Sequence, residues 1–180
     1  MRVSVAIQHH PKRAHLIALL LERIGGPAEV VTDPDPDNRV PSPLRTYLEC
    51  LRTTPEDATH RVILQDDTWP IVGFWPRMLA AIEERPDDVI ALHVQGAPPH
   101  RQYVEKARAR GDRWVQLAPA WLPTVATVWP VGRAREFVEW EEARMGEGRR
   151  IRQGDDAPAG RWAARTRVPI WALVPSIVEH

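Results

Sequence analysis

The chain has 180 residues, 43% of them hydrophobic and 27% charged, which fits one globular domain with a true core and excludes a disordered polyelectrolyte. Its 24 basic and 24 acidic residues cancel to a net charge of +0, so attraction of the whole molecule to nucleic acid or an anionic membrane is not a theme. Cys50 is the only cysteine, which excludes an internal disulfide and a cysteine zinc cluster and suits a reducing compartment. Leu16 to Leu21, the longest strongly apolar run, is too short to span a bilayer.

His9, His10, Lys12 and Arg13 interrupt any signal-peptide pattern near Met1, so the chain reads as a single cytoplasmic domain over residues 1–180. Val3 to Ile7 predicts a strand. Leu16, Leu19, Leu20 and Ile24 then predict a helix that stops at Gly25-Gly26. Ala28 to Val31 predicts a second strand, and prolines 34, 36, 41 and 43 make Thr32 to Pro43 a loop. Leu44, Tyr47, Leu48 and Leu51 form a helical stripe, followed by a strand over Arg61 to Leu64 that ends in Gln65-Asp66-Asp67. Trp75, Met78, Leu79 and Ile82 repeat the stripe. Val89 to Val94, Trp114 to Leu117, Thr124 to Val131 and Val168 to Val174 read as strands, and Arg133 to Arg144 as a helix with Phe137 and Val138 inward. This alternation predicts a three-layer α/β/α fold with a mostly parallel central sheet and antiparallel additions late in the chain. Glycine-rich phosphate loops are absent from the sequence.

In open α/β sheets ligands sit beyond the carboxyl ends of the strands, and Asp66-Asp67 stands at such an end. Adjacent carboxylates repel unless a cation neutralises them, which suits Mg²⁺ or Mn²⁺ with phosphate oxygens completing the shell; they equally suit a helix cap or the turn Asp67-Thr68-Trp69-Pro70. Asp155-Asp156, before Ala157-Pro158, is either a helix cap or a general base tuned by its neighbour. His180 is either a solvated end or an imidazole ligand for a Mn²⁺-like ion. His9 and His10 close the first strand within reach of phosphate or base, and Asp33 follows the second strand, able to accept a hydrogen bond from a nucleobase or ribose or to form a turn. Trp75, Trp140 and Trp171 fit core stripes, and Trp69, Trp121 and Trp162 either stack on a sugar or base or pack at the core edge.

Taken in order, Ser4-Val5-Ala6-Ile7, Asp33, Arg45, Val62-Ile63-Leu64-Gln65-Asp66-Asp67, Gly154-Asp155-Asp156 and Pro175-Ser176-Ile177-Val178-Glu179-His180 resemble the GT-A nucleotide-sugar glycosyltransferases, most of all the compact bacterial and phage forms. The resemblance implies the nucleotide-diphospho-sugar transferase-like fold and transfer of a hexosyl or pentosyl group to an acceptor hydroxyl, with Mn²⁺ or Mg²⁺ as cofactor. It places the metal on Asp67, the last position of a DXD-like motif, with His180 as a second ligand. It makes Asp156 the preferred base, with Asp155 beside it and an inverting outcome. His9, Asp33, Arg45, Gln65 and Asp66 would hold the donor, with Asp66 sharing the metal's charge because Gln65 stands where the motif has an acid. Arg45, or arginines 149, 150 and 152, would clamp the diphosphate, and residues 146–154 would form a lid. The acceptor is a small molecule, a glycan or a modified DNA base. Two other readings are a metal-dependent nucleotidyltransferase and a non-catalytic nucleotide-sugar-binding protein, the latter favoured by Gln65.

Overall fold

The computed structural model describes residues 1–37, 42–94, 100–118, 122–146 and 154–180. In chain order the strands are β1 (Val3–His9), β2 (Glu29–Thr32), β3 (His60–Gln65), β4 (Trp69–Pro70), β5 (Val89–Ala91), β6 (Trp114–Gln116), β7 (Ala126–Pro130), β8 (Ile170–Leu173) and β9 (Val178–Glu179). The helices are α1 (Ala14–Ile24), α2 (Pro43–Arg52), α3 (Phe74–Glu84), α4 (His100–Arg110), α5 (Val131–Gly146) and α6 (Asp156–Thr166), and a 3₁₀ turn, Pro11–Arg13, precedes α1.

The main sheet has the order β2-β1-β3-β7-β5-β8-β6. β2, β1, β3, β5 and β8 run one way, while β7 and β6 run against them. Side chains alternate across each strand, so Val5, Ile7, Val62 and Leu64 enter one core with α1 and α3, and Ala6 and Ile63 enter the other with α2, α5 and α6. Both faces are covered, which is why the strands read as continuous apolar runs. The result is the expected three-layer α/β/α arrangement with a mostly parallel sheet. No helix among the described residues is long and apolar enough to cross a membrane.

Several local expectations shift. The buried face of α1 carries Leu20 and Ile24 with Ile17 and Leu21 partly buried, whereas Leu19 is exposed, so the inward stripe is rotated from the expected one. Gly26 passes directly under the indole of Trp75: a Cβ there would sit 2.3 Å from the ring. Trp75, Trp140 and Trp171 are only half-buried; among the described residues the fully buried tryptophans are Trp129 and Trp162, which pack with Phe137 at ring separations of 5.2 to 5.8 Å. That aromatic cluster ties α5 and α6 to β7 and so fixes where α6 begins. Trp69 is exposed beneath the guanidinium of Arg23, and Trp121 lies outside the described residues. α4, β4 and β9 are additional to the expected elements.

Candidate functional site

Parallel strands end on a common edge, and here β1, β2 and β3 deliver Gln8-His9, Asp33 and Gln65-Asp66-Asp67 to one cleft of about 650 Å³. Its volume is in the range of ligand pockets. Residues of the N-terminus of α2 and of the 3₁₀ turn also line it, as does His180. Seven of the nine residues singled out from the sequence therefore line one cavity: His9, Asp33, Arg45, Gln65, Asp66, Asp67 and His180.

The two adjacent aspartates have different duties. Asp66 is buried and saturated: Oδ2 meets His9 Nδ1 at 3.0 Å and accepts from the His10 N–H at 2.7 Å, and Oδ1 accepts from Arg13 Nη1 at 2.8 Å. It joins the end of β3 to the β1–α1 connection and offers no oxygen to a ligand in this arrangement. His9 is correspondingly buried against Asp66. Asp67 is partly exposed, with Oδ2 2.8 Å from Arg13 Nη1. Its Oδ1 is buried and accepts no hydrogen bond, and His180 Nε2 lies 3.4 Å away.

His180 arrives there because the tail is docked. β9 pairs antiparallel with β4, matching Trp69 to Glu179 and Pro70 to Val178, and Ile177 and Val178 are buried. Ile177 N–H donates to the Leu92 carbonyl, and His93 Nδ1 donates to the Val178 carbonyl at 2.8 Å. A carboxylate oxygen left without a donor beside an imidazole nitrogen is a donor pair that Mn²⁺ accepts. No group of three or more His, Cys, Asp or Glu among the described residues forms a closed metal cage, so a cation at Asp67 and His180 fits only with substrate oxygens or water completing its shell.

Asp33 and Arg45, expected to bind donor separately, bind each other. Arg45 Nε and Nη2 donate to the two Asp33 oxygens at 2.9 and 3.0 Å, and Nη2 also reaches the Asp35 carbonyl at 2.7 Å. Burial would raise the Asp33 pKa, but the Arg45 hydrogen bonds and the Asp35 N–H hold it below the usual range. Ser42 caps α2 by position only; its buried Oγ has no hydrogen-bond partner, nor has the buried Gln8 Oε1, and both residues are among those that line the cleft. Buried polar atoms left without partners are costly, and a bound polar ligand would satisfy them.

Asp155 and Asp156 lie behind the cleft. Asp155 occupies the cap position of α6 without a side-chain capping bond. Instead its Oδ2 accepts from Gln8 Nε2 at 3.2 Å and Gln65 Nε2 at 3.4 Å. Burial raises its pKa against the opposing hydrogen bond of Thr124, and the neighbouring Asp156 adds to the rise. Asp156 Oδ1 accepts from Thr124 N–H at 2.8 Å and Thr124 Oγ1 at 2.6 Å, fastening α6 to the segment before β7. Arginines 149, 150 and 152 lie outside the described residues, as does all but the two ends of the 146–154 segment. Arg13 and Gln8 were not among the expected residues; the placement of Gln8 one residue beyond the Val3–Ile7 run, at the same strand edge as Gln65, is the signal that could have found it.

Neither a known protein family nor a curated protein matches the chain in sequence. In three dimensions it is similar to A197 from STIV, with a TM-score of 0.53 at 18% identity over 99% of this chain and 84% of that one. That likeness concerns the fold alone.

Proposed function

We propose that this chain is a glycosyltransferase of the GT-A type that moves a sugar from a nucleotide-sugar donor to an acceptor hydroxyl, with a divalent cation at Asp67 and His180. The observation that carries this reading is the delivery of His180 by the docked tail to within 3.4 Å of Asp67 Oδ1, an oxygen that accepts no hydrogen bond, both residues lining the cleft. The antiparallel β7 within an otherwise parallel sheet centre also suits it.

A divalent cation bound there supplies charge neutralisation for the departing nucleoside diphosphate. The chain's own residues do the rest. Arg13 and Lys12, on the cleft wall, attract the diphosphate, and Arg13 offers the planar fork suited to phosphate oxygens. The unpartnered Ser42 Oγ and Gln8 Oε1 supply a donor and an acceptor for the nucleoside. The acceptor proton falls to Asp155, which is buried directly behind two residues of the cleft lining, Gln8 and Gln65; its raised pKa makes it a stronger base than an exposed aspartate, and the acceptor hydroxyl would have to reach it between those two carboxamides. Asp156, the base expected from the sequence, accepts two hydrogen bonds from Thr124, and in this reading it anchors α6 beside Asp155.

A thermal-shift panel of nucleoside diphosphates and sugar nucleotides, with Mn²⁺ or with chelator, tests the reading. A cation-dependent rise in Tm that is lost in Asp67→Ala supports it. Equal shifts with chelator remove the cation from the site. The second reading, a binder without transfer activity, is favoured by Gln65 in place of an acid, and it predicts the same Tm rise with no sugar transferred or hydrolysed.

A further inference from the structure

Arg13 bridges two carboxylates that need it for different reasons. Its Nη1 lies 2.8 Å from Asp66 Oδ1 and 2.8 Å from Asp67 Oδ2. Asp66 is buried, and Arg13 completes its set of donors. Asp67 carries the unpartnered oxygen that faces His180. A cation bound through Asp67 would therefore share a carboxylate with a guanidinium, and like charges at that range oppose each other. Arg13 has room to move: its backbone is fixed at the end of the 3₁₀ turn, but its side chain is 47% exposed on the cleft wall. A guanidinium stays protonated in proteins, so Arg13 carries a full positive charge in either position.

We propose that Arg13 is a counter-charge switch that makes the divalent cation and the diphosphate bind as a pair. Without an anion, Arg13 neutralises Asp67 and opposes the cation. With a diphosphate in the cleft, its guanidinium turns to the phosphate oxygens and releases Asp67. Each ligand then raises the affinity of the other by the same factor, as linkage requires. The proposal rests on the reading of the cleft as a cation-dependent diphosphate site, and it adds a specific owner of the coupling.

Isothermal titration of Mn²⁺ alone, inorganic pyrophosphate alone and the preformed Mn²⁺–pyrophosphate complex tests it in the parent, Arg13→Gln and Arg13→Lys. Arg13→Gln is expected to bind Mn²⁺ alone about fivefold tighter, because the opposing charge is gone, and pyrophosphate alone about tenfold weaker, because its counter-charge is gone. Arg13→Lys, a point charge that can serve Asp66 without bridging to Asp67, should show a smaller Mn²⁺ gain of about twofold, and it decides the matter if Arg13→Gln does not fold. Unchanged or weaker Mn²⁺ binding in the folded variants, in a protein that binds the complex and loses it in Asp67→Ala, overturns the role of Arg13 alone. A parent protein that binds neither Mn²⁺ nor the complex overturns the reading of the cleft together with it.

Discussion

Gln8 and Gln65 stand in register on adjacent parallel strands, and both carboxamides donate to the same oxygen of Asp155, at 3.2 and 3.4 Å. These hydrogen bonds, with that of Thr124, offset only part of the cost of burying that carboxylate, and its pKa rises. If Asp155 takes the acceptor proton, Asp155→Asn should leave donor binding nearly intact and lower turnover by about 10²-fold or more. The variant also has a stability signature. A raised folded-state pKa contributes stability that is present below the unfolded aspartate value, near pH 4, and is lost as pH rises through the folded value. Asp155→Asn lacks that loss, so its stability relative to the parent should improve from pH 4 to pH 7 in urea titrations. An unchanging difference would show that Asp155 carries no such shift.

Asp156 should behave differently. Removing its carboxylate strands the Thr124 N–H and hydroxyl at a buried position, so Asp156→Ala should cost about 1–3 kcal/mol in urea unfolding. Turnover should fall only as far as α6 is displaced. A loss of two orders of magnitude in Asp156→Asn, with stability unchanged, would return the base to Asp156.

The tail gives a separable test of the cation site. His180→Ala should keep a Tm close to the parent's while losing most of the Mn²⁺-dependent stabilisation by nucleoside diphosphate. Deleting Glu179 and His180 removes the Trp69–Glu179 pairing as well and should add a modest fall in Tm. Full Mn²⁺ dependence in both variants would take His180 out of the site.

His93 links that tail to pH. Burial lowers its pKa, and His180 nearby adds to the effect, while the hydrogen bond to the Val178 carbonyl works the other way. A depressed pKa contributes stability that is present above the ordinary imidazole value, about 6.5, and lost as pH falls through the folded value. Unfolding free energy should therefore decline on going from pH 7 to pH 5 more steeply in the parent than in His93→Asn, whose amide can donate without titrating. Parallel pH profiles would count against this account.

α2 buries the stripe that the sequence predicts, and α3 lies where its stripe predicts but turns Phe74 and Ala81 inward with Met78 and Ile82, leaving Trp75 and Leu79 partly buried, because the signal is local. α4 carries only His100 and Ala107 into the core, so no stripe announces it. β4 and β9 are two residues each and exist through their mutual pairing, which no local pattern encodes. The convergence of His9, Asp33, Asp66 and Asp67 was legible because parallel strands share an edge. What the sequence hid was pairing: that Arg45 engages Asp33, that Arg13 spans Asp66 and Asp67, and that Asp155 turns away from capping toward two glutamines.

The position of β7 governs how the molecule can be assembled in time. Residues 126–130 lie between β3 and β5, which have no direct pairing with each other. During synthesis, a nascent chain that has already formed β2-β1-β3 holds an open strand edge, Val62-Ile63-Leu64, until the late-arriving β7 pairs with it. Such edges invite pairing with other chains, and distant pairings are slow to form. Fragments ending before residue 126 should therefore fail as folding units, and holdase chaperones that shield open strands should raise the yield of the full-length chain.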